Sequence, residues 1–146
     1  MKHRRIPVIS ISAALVCILC GPAVAASTHK GAAILENPCG KVAVKQMALL
    51  HAGKFDEANK LSTKEMQDQW NAMPAKDRTM MSEMSKEMSQ TEAEYAAEIK
   101  ASGVLVIDGA SAKLTVTKTS KDANGSSTST TTQAFQLHGS ECLVSR

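Results

Sequence analysis

The sequence predicts an α+β domain with its helices first and an antiparallel sheet last. Glu, Lys, Ala, Met and Gln fill the chain before Ser102, whereas Val, Leu, Ile and Thr take over after Gly103. The turn dipeptides Asp108-Gly109 and Asn124-Gly125 punctuate only the second part, as hairpins require.

The first residues are a targeting segment. MKHRR is a basic opening, IPVISISAALVCILCGPAVAA supplies an apolar run, and Ala23-Val24-Ala25 ends it as a small-residue cleavage site. Residues 1–25 are therefore expected to be a signal peptide, with the mature chain starting near Ala26. The apolar run is shorter than the roughly 18 to 20 residues of a spanning helix and closes on Gly21-Pro22, so no membrane span is expected after cleavage. Cys17 and Cys20 form a C-x-x-C inside this run, where redox chemistry is not expected. Val16 and Leu19 stand where a lipidated cysteine would have small residues.

Residues 26–37 read as a flexible leader, followed by a single domain over 38–146. Asn37-Pro38 starts the first helix, because Asn caps and Pro suits the first turn. It should run to about His51 and stop at Gly53. Phe55, Ala58 and Leu61 recur at three-residue steps as a short second helix. Ser62 and Glu65 have the spacing of a capping box for a third helix with Met66, Trp70 and Met73, broken by Pro74. From Lys76 to Ser102 the chain reads as one long helix, or two with a kink.

The remaining stretches, VLVI, AKLTVTKT, SSTSTTTQAFQLH and ECLVSR, read as strands separated by turns at Gly109, Asn124-Gly125 and Gly139. A linker is the alternative for the Ser/Thr tract over residues 126–132, but QAFQLH continues it as a strand. A sheet of about three to four strands follows, with Ser and Thr on a wet face and helices on the other. Cys39 and Cys142 remain after cleavage, and an even pair in an oxidising compartment predicts one disulfide, tying the first helix to the last strand.

Composition bounds the function. Without Lys2, Arg4 and Arg5, 14 basic residues face 14 acidic ones, so the mature chain is formally neutral and no nucleic-acid binding is expected. His29, His51 and His138 are scattered, and Asp108 suits a turn, so no catalytic residue is assigned and no cofactor is expected. The aromatic side chains Phe55, Trp70, Tyr95 and Phe135 are the candidate wall of a small apolar ligand site, with Met as adaptable lining.

The stretch MMSEMSKEM gathers Met80, Met81, Met84 and Met88. Met81, Met84 and Met88 continue towards Tyr95 and Ile99 near helical spacing, so a buried seam is the expected role. A Cu(I) site is the sharper alternative, since soft thioethers select that ion and Met84 and Met88, with Met80 or Met81, share a face.

The stretch VKQMALLHAGKFDEANKLSTKEMQ resembles the opening of small exported bacterial domains in the nuclear transport factor 2-like superfamily, with Gly53, Phe55 and Ala58 in their Gly-x-aromatic-x-x-Ala turn. IDGASAKLTVT resembles one of their strands through Gly109, Ala112, Leu114 and Val116. FQLHGSECLVS resembles their closing hairpin, with Cys142 standing where those domains carry Trp. The resemblance implies a cone-like fold in which the helices pack on a curved sheet. The expected function is an exported, non-enzymatic binding domain of the cell envelope, taking a protein partner or a small apolar ligand, with Cu(I) handling as the alternative.

Overall fold

The computed structural model describes residues 25–122 and 125–146. The expected signal segment, with Cys17 and Cys20, and the Asn124 of the hairpin dipeptide lie outside these residues. The described elements run β1 (Ser27–Lys30), α1 (Ala32–Glu36), α2 (Pro38–His51), α3 (Phe55–Asn59), α4 (Lys64–Ala72), α5 (Ala75–Met88), α6 (Glu92–Ser102), β2 (Val104–Asp108), β3 (Ser111–Asp122), β4 (Gly125–His138) and β5 (Glu141–Ser145). The α+β class holds, with the helices ahead of all but one strand. Among the described residues no helix is long and apolar enough to cross a membrane.

Local chemistry sets the helix ends. The Asn37 side chain accepts a hydrogen bond from the Cys39 backbone N–H at 2.9 Å, and Pro38 occupies the first turn of α2, where no N–H is needed. Gly53, at φ 72°, ends that helix in a conformation that side-chain-bearing residues rarely adopt. The capping box expected at Ser62 and Glu65 does not form. Ser62 is drawn into a bridge with Val144, so Thr63 becomes the N-cap of α4, without a side-chain hydrogen bond. The box appears instead at Thr91 and Glu94, where α6 begins after a break at residues 89–91. Lys76 to Ser102 is therefore two helices.

The sheet is an antiparallel meander of five strands in the order β1-β2-β3-β4-β5, rather than the three to four expected. The additional strand is β1, which pairs Ser27 with Ile107 and Lys30 with Val104. Residues 26–37, expected as a flexible leader, thus carry a strand and the helix α1. Burial in the sheet alternates with the pleat. Leu105, Ala112, Leu114, Val116, Phe135, Cys142 and Val144 face inward and meet Ile34, Cys39, Ala43, Val44, Tyr95 and Ile99 from α1, α2 and α6 in one buried cluster. Each large apolar side chain fully buried there contributes about 1.5 to 3 kcal/mol. Cys39 and Cys142 are bonded within this cluster, as expected.

The Ser/Thr tract is strand, not linker. β3 and β4 pair from Ser111 opposite Gln136 out to Asp122 opposite Gly125. β2 covers β3 only as far as Thr115, and β5 covers β4 only as far as Ala134. Beyond those points the two strands continue as a ribbon, and Lys118–Lys121 and Gly125–Thr132 are exposed on both faces. Facing hydroxyls lie close across it: Thr117 to Thr130 at 3.5 Å, Thr119 to Thr128 at 3.4 Å and Ser120 to Ser127 at 3.4 Å. Only one end of the sheet therefore has the single wet face that the alternation predicts.

Candidate functional site

The methionine helix is not part of the core. Met80, Met81, Met84 and Met88 are 55%, 40%, 53% and 80% exposed, and α5 buries no residue at all. The seam expected to join them to Tyr95 and Ile99 is interrupted at residues 89–91, and only the α6 members, Tyr95 at 3% and Ile99 at 0% exposure, are covered. The break re-aims the chain, so helical spacing counted through it no longer describes one face. α5 instead lies at the margin, beside α2 and the aromatic pair.

That pair is Phe55 at the start of α3 and Trp70 in α4. Their rings stack with centroids 4.2 Å apart and planes at 26°. Trp70 Nε1 donates to Asp56 Oδ1 at 3.1 Å, which satisfies the indole as its ring is buried. A cleft of about 650 Å³ opens between this pair and α5, bordered by Asp56, Arg78, Glu83 and Lys86. The Arg78 Nε is buried there without a hydrogen-bond partner among the described residues. Both acidic and basic groups line the opening, so it offers no single charge to a ligand.

The other two aromatic candidates are elsewhere. Phe135 in β4 and Tyr95 in α6 belong to the main core, at 1% and 3% exposure. Burial, with the nearby Glu98 charge adding to it, pushes the Tyr95 hydroxyl above its ordinary pKa. The four aromatics thus divide into a peripheral stacked pair and two core members rather than forming one wall. Beside Tyr95, a smaller cleft of about 280 Å³ is lined by Met47, Met88, Glu98 and Lys118. Lys118 Nζ lies 2.6 Å from Glu98 Oε1, and that hydrogen bond is the main reason its ammonium is held above its ordinary pKa. Comparison with protein families, curated proteins and solved structures finds no match.

A third opening, of about 590 Å³, lies between α2 and α6, with Leu35, Val44, Leu49 and Ala96 on its apolar side and Lys41 and Lys45 at its rim. Neither it nor the Arg78 cleft was visible in the sequence. Each is assembled from residues on separate helices with no shared motif, and only α2 carries a regular basic and apolar alternation at Lys41, Val44, Lys45 and Ala48 that marks a face in advance. His29, His51 and His138 lie on β1, the end of α2 and the end of β4, each on its own element. His51 Nδ1 is 3.3 Å from the Ser89 carbonyl oxygen, a contact that ties the end of α2 to the break after α5.

Proposed function

We propose that this chain is an exported, non-enzymatic binding domain of the cell envelope whose partner docks on the methionine face of α5. One observation carries the reading: four thioether side chains stand in solvent on a helix that contributes nothing to the core. An apolar stripe left uncovered in this way suits contact with another molecule, and methionine is flexible and polarizable enough to fit an irregular surface. The occupant is an apolar segment of another exported protein, lying along Met80, Met84 and Met88. The disulfide between Cys39 and Cys142 fits an oxidising location, and the resemblance to nuclear transport factor 2-like domains supports a binding scaffold of cone-like shape.

A photoreactive residue in place of Met84, in protein exported by living cells, tests the reading. A discrete protein adduct is expected, and Met80→Ser with Met88→Ser should remove it. An adduct no stronger than that from the same probe at Lys113, on the outer side of the sheet, would count against it.

Exposure also favours a second reading. Accessible thioethers about one turn apart at Met80, Met84 and Met88 are open to Cu(I), which a buried seam would not be. A rise in melting temperature on adding Cu(I), absent after Met84→Leu with Met88→Leu, would establish that reading in place of the first.

A further inference from the structure

We infer that the groove between α2 and α6 is a binding site for a long-chain fatty acid, with the alkyl chain along its apolar floor and the carboxylate between Lys41 and Lys45. The site shares no residue with the methionine face of α5 and is independent of docking there.

The groove follows one face of α2. Lys41, Val44, Lys45, Ala48, Leu49 and Ala52 border it at alternating steps of three and one, which keeps them on a single stripe of that helix and its C-cap. From Lys41 to Ala52 the stripe advances about 16 Å. Leu35 of α1 and Ala96 of α6 complete the wall. Val44 is buried, whereas Leu35, Ala48, Leu49 and Ala96 are only half-buried, so apolar surface along the groove is left in contact with water. The small alanines on both helices leave the space open, about 590 Å³, a volume within the range of small-molecule sites.

Charge gives the groove a direction. α2 and α6 run antiparallel, since Gly40 and Gly103 both lie against Ile34, while His51 meets the Ser89 carbonyl just ahead of α6. Lys41 and Lys45 therefore stand towards one end, exposed and one turn apart, and neither is paired with a described acidic side chain. At the other end Lys54 is drawn to Glu57 at 3.7 Å, and Glu92 adds a negative charge. Lysine stems lie along apolar surface and keep their ammonium groups in water, so the first end can hold a carboxylate above the floor. Two ammonium donors suit one carboxylate as charge-assisted partners, and the acidic end repels it. A compact apolar ring would leave most of a floor about 16 Å long uncovered. A long floor with one cationic end thus selects a single-chain anionic amphiphile as the occupant.

Titration calorimetry tests this, with laurate added below its micelle concentration to protein purified after export with its disulfide formed. One laurate per chain is expected, and NMR amide shifts should move along Leu35, α2 and Ala96 rather than α5. Octanoate should bind more weakly, since each methylene that enters the groove raises affinity up to about fourfold. Lys41→Glu with Lys45→Glu changes only exposed side chains, so circular dichroism should be unchanged. It should weaken laurate by about tenfold or more and favour dodecyltrimethylammonium instead. Ala48→Leu fills the floor and should abolish laurate binding in a chain that still unfolds cooperatively. A parent that takes no laurate, or binding that the charge reversal leaves unchanged, would overturn the inference. So would shifts centred on the methionines of α5, or dodecyltrimethylammonium binding the parent as tightly as laurate does.

Discussion

Cys39, in the first turn of α2, is bonded to Cys142, in β5, across 103 residues of chain, with their Cα atoms 5.1 Å apart. Both are buried against Val144 and Ile34, so the bond lies within the core rather than on the surface. Cross-linking a loop of this length restricts the unfolded chain by about 4 to 5 kcal/mol. Cys39→Ser with Cys142→Ser is expected to lose about that much in urea unfolding, a large part of the stability of a small domain. A loss below about 1 kcal/mol would show that the unfolded chain is already restricted without the bond.

Met84→Ala with Met88→Ala is expected to change unfolding stability by less than about 0.5 kcal/mol per site, because both side chains are 53% or more exposed. A buried seam would lose about 2 to 5 kcal/mol at each site. Chemical denaturation separates these outcomes. Met88→Ala should also weaken partner cross-linking from a photoreactive residue at position 84 without a matching loss of stability, which separates binding from folding.

Gly40 sits where α2 crosses α1, and a Cβ there would collide with the Ile34 carbonyl. Because the obstruction is backbone, neighbouring side chains cannot relieve it by changing rotamer. Gly40→Ala should lower stability by at least about 1 to 3 kcal/mol. An unchanged unfolding midpoint would mean that α1 does not rest on α2 in solution.

The cap of α6 should respond to pH. The Thr91 hydroxyl and backbone N–H both donate to the Glu94 carboxylate, at 2.8 and 3.0 Å, and these bonds hold its pKa below the ordinary 4.5. A lowered carboxylate contributes its stability fully above the unfolded value, and that contribution disappears as pH falls through the folded one. Thr91→Ala is expected to cost about 1 kcal/mol at neutral pH. The difference between parent and variant should shrink when both are unfolded well below pH 4.5. A difference that is constant across this range would assign the cap to the hydroxyl alone.

Much of the architecture was legible because it rests on local chemistry. Asn37-Pro38, Gly53 and Pro74 mark helix limits, Val and Thr mark strands, and the two cysteines outside the expected signal segment pair as arithmetic suggests. What was not legible depends on distant partners. β1 is four residues long and paired on one side only, to a strand beyond all six described helices, so nothing within Ser27–Lys30 announces it. Ser62 has cap spacing, but a neighbour more than eighty positions away, Val144, claims the backbone on either side of it, the Leu61 carbonyl and the Thr63 N–H. For the candidate site, periodicity identified an apolar stripe on α5 without revealing that no described residue covers it. The break at residues 89–91 lacks Gly and Pro, and its signal was the Thr91-x-x-Glu94 spacing, which a reading of continuous helix passed over.

The disulfide also has a mechanical consequence. If the domain is pulled from its two ends, as an unfolding motor or a translocation channel would pull it, the covalent link carries the load from Cys39 directly to Cys142. Only the segments outside that link can lengthen: β1 and α1 on one side, and the last residues of β5 on the other. β1 detaches first, because it is a short edge strand held by one neighbour. The ribbon, the core helices and the methionine face lie inside the closed loop and feel no tension while the bond stays oxidised. Force therefore strips the rim of this fold and spares the rest of the sheet and the exposed methionines until a reductant opens the link.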